Sequence, residues 1–332
     1  MYDVRDTLNP RRLTIAMWDY SWIKMHHAGG AFEDFEEQLR SLLDRGFNTV
    51  RIDALPLVIG ALDADDEQVT FAADPGAAWG YTREARTHTP IRELTDFMAA
   101  AKRLGVYIIL SSWGVEAKEL PGLRRRYLDR ALFRQAWNRV LDLLGNAGLL
   151  DHVLYVDLDQ EFPFFSPFGS ELAAIGTSDP TTATLPPGRK WTAAQRDYAG
   201  RLFDEMLSHF QRRYPRLRFT YSFTSFFSDL REMAYDGFDV LEVHLWSLGK
   251  RFLNRTGFSE LERTREDHDY TDYQRRVDET LAAIRPMMLA RMHNQLEFVR
   301  DWGREIAAPV TTTEAWGPWW HMDNPTLRWD WL

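Results

Sequence analysis

The sequence predicts one α/β domain of the (β/α)8 TIM-barrel type, spanning residues 1–332. Three observations predict it. Seven short apolar runs alternate with amphipathic helical patterns, which implies a parallel sheet covered by helices. The runs are nearly continuous in apolar residues, as strands buried on both faces must be. Connections into the runs are short and several connections out of them are long, which is how a barrel gathers its longest loops at one end.

The first run is 13–17. The second is 48–52, after a helix over 32–45 whose Phe32, Phe35, Leu39, Leu42 and Leu43 share one face at spacings of three and four, with Gly46 closing it. The third run is 106–110, after a helix over 90–104 that has Thr89 as N-cap, Pro90 in its first turn and Gly105 at its end. The fourth is 152–158. The fifth is 218–223, after a helix over 193–213. The sixth is 240–245. The seventh is 309–313, after a helical stretch over 273–306 that Pro286 should kink or split. Seven units exceed a small doubly wound domain, and no Gly-rich fingerprint follows the first run. After the seventh run, 314–332 read as a Trp-rich loop with a helix beginning near Trp329. No eighth βα unit is recognisable, so the barrel is expected to be open, closed by another segment, or cut short.

Composition narrows the function classes. The chain is 45% hydrophobic and 27% charged, ordinary globular values. Its net charge of -9 argues against nonspecific binding to nucleic acid or anionic membranes. There are no cysteines, which excludes disulfides and thiolate metal sites. The polar N-terminus and the lack of a long apolar stretch lead us to expect a cytoplasmic protein with no signal peptide and no membrane span. Oligomeric state is not encoded in any feature of the sequence. No His-x-His on the first strand and no His-Glu-x-x-His occur, so no metal or other cofactor is expected.

The chemistry-bearing residues lie where strands end. Glu161 follows the fourth run in Asp157-Leu158-Asp159-Gln160-Glu161-Phe162-Pro163, and Glu314 ends the seventh in Thr311-Thr312-Thr313-Glu314-Ala315-Trp316. Strands four and seven of an eight-stranded barrel face one another, so these carboxylates could flank one scissile bond. Glycoside hydrolysis needs such a pair, one protonated to donate to the leaving oxygen and one ionised. The 13 Trp, 12 Tyr and 20 Phe add a second cue, because aromatic faces stack on sugar rings as well as filling cores. Trp18, Trp22, Trp113, Trp246, Trp316, Trp319 and Trp320 all follow strands, and about half are expected to face the cleft, the rest being core.

With these residues the chain resembles the retaining glycosidases of the cellulase-like clan over roughly residues 12–320. That resemblance implies Glu161 as acid/base and Glu314 as nucleophile. The family carries Asn before its acid/base; this chain has Gln160, which keeps the amide and adds a methylene. The resemblance also implies that Arg51, in Thr49-Val50-Arg51-Ile52-Asp53, lies near the nucleophile. It implies that His244, in Glu242-Val243-His244-Leu245-Trp246, lines the site and that Trp316 is a platform for sugar. Substrate contacts are therefore expected from Arg51, Gln160, His244, Trp316, Trp18, Trp113, Trp246 and Asp19, with a loop-capping role for Asp19 as its alternative. Arg51 should pair with Glu314 and keep it ionised, while Phe162, Phe164 and Phe165 should wall Glu161 in apolar surroundings. The implied function is a retaining glycoside hydrolase on a β-linked glycan or glycoside, with a carbohydrate as partner. A noncatalytic carbohydrate-binding protein on the same barrel is the alternative. A metal-assisted barrel hydrolase is a third reading, disfavoured by the missing His clusters.

Overall fold

The computed structural model describes residues 13–73, 82–177, 183–186, 189–246 and 270–316. Its strands run β1 (Ile15–Asp19), β2 (Thr49–Asp53), β3 (Val69–Phe71), β4 (Arg86–His88), β5 (Tyr107–Ser111), β6 (Val153–Asp157), β7 (Phe219–Thr220), β8 (Ser222–Phe223), β9 (Leu241–Val243), β10 (Leu245–Trp246), β11 (Val310–Thr311) and β12 (Ala315–Trp316). The main helices are α1 (Phe35–Asp44), α2 (Pro56–Ala61), α3 (Pro90–Leu104), α4 (Arg130–Asn146), α5 (Ala193–Arg213) and α6 (Tyr270–Glu305).

The wall is parallel throughout. One sheet has the order β1-β2-β5-β6-β7, a second β11-β9-β8, and a third pairs β10 with β12. β7 and β8 are one strand interrupted at Tyr221, and β9 and β10 are one strand interrupted at His244. The seven predicted runs thus appear as seven neighbouring wall positions, each shifted by a residue or two from its apolar run. Among the described residues no eighth strand joins β1 to β11. β3 and β4 form a separate antiparallel hairpin within the long loop after β2.

Alternation along the strands separates two environments. Val50, Ile52, Ile108, Leu110 and Val156 join the large core shared with the helices. Ile109, Tyr155 and Val240, with Ile15 and Tyr107 against them, form a small cluster inside the barrel. Helix ends follow local chemistry. Asp34 caps α1 by accepting from the backbone N–H groups of Glu36 and Glu37 at 2.8 and 3.1 Å. Thr192 and Gln195 form a reciprocal capping box at the start of α5. α2 lies so close to α4 that a Cβ on Gly60 would come within 2.6 Å of the Ala136 methyl.

Three expectations need correction. Pro286 does not split its stretch in two; it lies within α6, a single helix of 36 residues. Arg285, Pro286 and Met287 are exposed, as is Ala282 one turn back, so water can take the carbonyl that proline leaves without a donor. Thr89 stands at the N-cap of α3 as expected, but its side chain makes no capping bond; its backbone N–H donates to Glu93 at 2.8 Å. Helix α4 was not anticipated, although its apolar Phe133, Ala136, Trp137, Val140, Leu141 and Leu144 repeat at helical spacing. Among the described residues no helix is long and apolar enough to cross a membrane.

Phe203 of α5 is the hub of an aromatic cluster, with ring centroids 4.9 Å from Tyr221, 5.0 Å from Phe162 and 5.3 Å from Phe238. Phe203→Ala should lower unfolding stability by about 3–5 kcal/mol, the usual cost of removing a fully buried phenyl ring. A denaturant titration checks this; a loss no larger than that of a surface substitution would contradict the packing described.

Candidate active site

Arg51 is the centre of the site. On β2 it alternates with Val50 and Ile52, so they face the helices while it faces into the barrel. Its side chain is completely buried. Nη1 donates to Glu314 Oε1 at 2.6 Å and lies 3.5 Å from Asp19 Oδ1; Nη2 lies 3.7 Å from Asp157 Oδ2. The Gln160 side-chain N–H donates to the same Glu314 oxygen. Oε1 of Glu314 is therefore held by two donors, while Oε2 faces His244 Nδ1 at 3.6 Å.

His244 stands at the break between β9 and β10. Nδ1 is 2.8 Å from Glu161 Oε1, and Nε2 is 3.6 Å from Glu242 Oε1 and 3.4 Å from the Thr313 hydroxyl. Glu242 is buried and fully engaged. It accepts hydrogen bonds from the Tyr155 and Thr311 hydroxyls, from the Thr313 backbone N–H at 2.9 Å and from the Thr313 hydroxyl at 2.7 Å. Glu161 adopts a left-handed backbone (φ 49°) unusual for a non-glycine residue, and its N–H donates to Ser222 Oγ at 2.9 Å. That turn aims Glu161 at His244, and a strained backbone of this kind persists only where the surroundings fix it.

Carboxylates of the site also take backbone donors where strands end or break. The Ser222 N–H donates to Asp157 Oδ1 at 2.8 Å, the Thr313 N–H to Glu242, and the Leu55 and Trp113 N–H groups to Asp53 at 2.7 and 2.8 Å. Each carboxylate takes a backbone donor at the end of a strand or at a break.

Five carboxylates thus surround two cations. Burial pushes Asp19 and Asp157 up to about 7, against the pull of Arg51. Burial likewise raises Asp53 to about 6. Burial alone would lower His244, but the carboxylates of Glu314, Glu161 and Glu242 raise it to about 10, so it is an imidazolium at neutral pH. Glu242 goes the other way: burial would raise it, yet His244, Thr311 and Tyr155 bring it down to about 2. A carboxylate oxygen from each of Glu161 and Glu314 and a ring nitrogen of His244 lie within 4.8 Å of one another. This trio could hold a metal ion, but an imidazolium nitrogen is a donor and not a ligand. In the arrangement described, His244 itself is the cation between the two carboxylates.

The structure brings together Arg51, Gln160, Glu161, His244 and Glu314 and departs from several other expectations. Arg51 and Gln160 have no exposed surface and act on Glu314, not directly on a ligand. Asp19 neither faces the cleft nor caps a loop; it is fully buried beside Arg51. Trp18 packs edge-on against Phe32 and Phe97, at 4.9 and 6.1 Å, on the helix side of β1, and is half-buried against the core. Trp22 is core, with its indole N–H donating to the Asp53 carbonyl at 2.9 Å. Trp113 is half-buried, edge-on to Tyr20 and Phe165. Trp246 is half-buried, and its backbone pairs in register with that of Trp316 across β10 and β12. Trp319 and Trp320 lie outside the described residues. The phenyl wall around Glu161 is also corrected. Phe162 turns into the core, Phe164 and Phe165 are partly exposed, and the group hydrogen-bonded to Glu161 is His244. The structuring roles of Glu242 and Tyr155 were missed. Their signal was present as polar residues at every second position of buried strands: Arg51 and Asp53, Tyr155 and Asp157, Glu242 and His244, Thr311 and Thr313.

A family model described as sugar-binding cellulase-like matches residues 15–332. A solved structure from Parabacteroides distasonis, described as a candidate glycoside hydrolase, shares 22% identity and a TM-score of 0.77, with 96% of this chain and 80% of that one covered. That likeness establishes the TIM-barrel glycosidase fold. A family 51 α-L-arabinofuranosidase from Bifidobacterium longum matches at 11% identity and TM-score 0.46, over 94% of this chain and 57% of its own. An exo-β-1,4-mannosidase from an Opitutaceae bacterium matches at 14% and 0.44, over 92% and 51%. The chain spans little more than half the length of these last two. No curated protein matches it.

His244 titrates near 10 when folded and near 6.5 when unfolded. The folded state therefore keeps a proton that the unfolded chain releases, and the stability from it is full below about pH 6.5 and is lost as pH rises through about 10. Asp19 and Asp157 titrate lower, and comparison with a His244 variant separates the histidine from Asp159 and the buried tyrosines, which burial also pushes up. Thermal unfolding should show the wild type losing stability across that window and His244→Gln losing markedly less. Equal slopes would refute a protonated His244.

Proposed function

The chain belongs to the cellulase-like family, and from that premise we propose that it is a retaining glycoside hydrolase acting on a β-linked glycan or glycoside, with Glu161 as acid/base and Glu314 as nucleophile. The observation that carries the reading is the spacing of the pair, whose carboxylate oxygens come within 4.8 Å. Retaining pairs stand about 5–5.5 Å apart and inverting pairs about 6.5–9.5 Å, the latter leaving room for a water.

The roles follow from the surroundings. Arg51 and Gln160 hold Glu314 through Oε1, which leaves Oε2 to attack the anomeric carbon. In the reactive complex Glu161 carries a proton and His244 counters the charge of Glu314; as the new bond forms, Glu161 gives that proton to the glycosidic oxygen, the C–O bond breaks and the leaving group departs as an alcohol. The product is a glycosyl ester on Glu314 and an ionised Glu161. Glu161 then takes a proton from water, the hydroxyl attacks the anomeric carbon, and Glu314 leaves as a carboxylate. His244 compensates charge in both halves, because it lies within reach of whichever carboxylate is ionised.

A panel of aryl β-glycosides and polysaccharides tests the proposal. Glu314→Gln should reduce turnover roughly 10⁴-fold or more while sugar binding persists. Glu161→Gln should cost about 10²–10⁴-fold, least for substrates whose leaving group needs no proton. Unchanged turnover in Glu314→Gln would sink the nucleophile assignment. A second reading, a noncatalytic carbohydrate-binding protein, takes support from the description of the family as sugar-binding. Saturable binding with no turnover across the panel would favour it.

A further inference from the structure

We propose that Phe164 and Phe165 form an aromatic platform on the leaving-group side of the cleft, selecting substrates whose leaving group presents a flat apolar face. An aryl aglycone or the less polar face of a pyranose would qualify. This inference rests on Glu161 being the acid.

The two rings are 39% and 41% exposed. The other large exposed hydrophobic residues among the described ones are Met287, Leu289, Leu296 and Val310, all aliphatic and all on α6 or β11. Phe164 and Phe165 therefore stand apart as aromatic surface at the strand ends. They are also held in place, as a recognition surface should be. The Phe164 N–H donates to the Glu161 carbonyl at 2.9 Å, closing the turn that follows the acid. The Phe165 carbonyl accepts from the Arg124 guanidinium. The Phe165 ring meets Trp113 edge-on at 5.2 Å. The Phe164 ring leans on Phe226 at 5.5 Å, which in turn leans on Trp191 at 5.3 Å. The result is a rim of aromatic residues across the loops after β5, β6 and β8.

Adjacency to the acid decides which part of a substrate the rim meets. A general acid must reach the leaving oxygen, so the leaving group lies on the Glu161 side of the scissile bond. The chain that leaves Glu161 presents its phenyl rings three and four residues later. Phenyl rings offer no hydrogen bonds, so they discriminate by shape and apolar face and not by hydroxyl pattern.

The test compares 4-nitrophenyl and methyl β-D-glycosides of one sugar, and a disaccharide of that sugar. Binding is measured by calorimetry in the Glu314→Gln protein and turnover in the otherwise native one. Phe164→Ala with Phe165→Ala should lower the preference for aryl over methyl glycoside about 3–10-fold, through affinity and KM more than kcat. Phe164→Tyr with Phe165→Tyr should restore it. A parallel loss of disaccharide affinity would mark a sugar as the natural occupant, and a loss confined to the aryl compound would mark an aglycone; either supports the platform. An unchanged aryl preference, or no binding of any probe, overturns it. If Glu314→Gln binds with the expected preference while the native protein hydrolyses nothing, the two rings are a binding platform of a noncatalytic protein, and their place on a leaving-group side falls with the hydrolase reading. If the native protein hydrolyses the probes and the alanine variants keep the aryl preference, the platform falls alone.

Discussion

A guanidinium without exposed surface organises this molecule. Burying a charge costs several kcal/mol unless partners replace its water. Arg51 finds them on three sides of the barrel: Asp19 at the end of β1, Asp157 at the end of β6, and Glu314 beyond β11, which is 263 residues away in sequence. None of these positions can move independently. Arg51 depends on the carboxylates to remain buried, and Glu314 depends on Arg51 for its orientation. The ion pair is thus a structural cross-brace and a setting for one carboxylate at once.

The second tier is built on His244. An imidazolium is tolerated in the buried interior because carboxylates meet both ring nitrogens: Glu161 and Glu314 on one side, Glu242 on the other. Glu242 stays ionised because the His244 cation faces it and Tyr155, Thr311 and Thr313 give it four hydrogen bonds. Where strands end or break, backbone N–H groups at Ser222 and Thr313 serve site carboxylates. The barrel interior accordingly divides, with an apolar layer around Ile109 and Val240 and a charged layer above it. Asp19 and Asp157, titrating near 7, limit how much negative charge that layer carries.

Around this centre the aromatic residues sort by face. Trp18 and Trp22 turn toward the helices and pack with Phe32, Phe35 and Phe97. Trp113 stays at the rim because its backbone N–H is tied to Asp53 and its ring meets Phe165. Arg51, Gln160 and Asp19 are too deep to touch a ligand and act through Glu314 or Arg51.

The sequence by itself pointed to the barrel-type sheet and to the two carboxylates that the structure brings together. Strand burial on both faces forces continuous apolar runs, and helix amphipathicity forces a 3.6-residue period, so seven βα-type units could be counted without coordinates. A carboxylate at the end of a buried strand is conspicuous because nothing in a core requires it. The tertiary structure decided which polar residues meet. Glu242 and Tyr155 were visible only as polar interruptions in apolar strands, since their partners come from other strands far along the chain. Asp19 and Trp18 adjoin in sequence yet part company in space, because side chains alternate across a strand and one residue of register decides between core and interior. The path of α6 through Pro286 was likewise settled by exposure, which supplies water where the sequence removes a donor. Local periodicity is written in the chain; the pairing of buried charges is not, because it depends on distances that exist only once the barrel wall has brought its strands together.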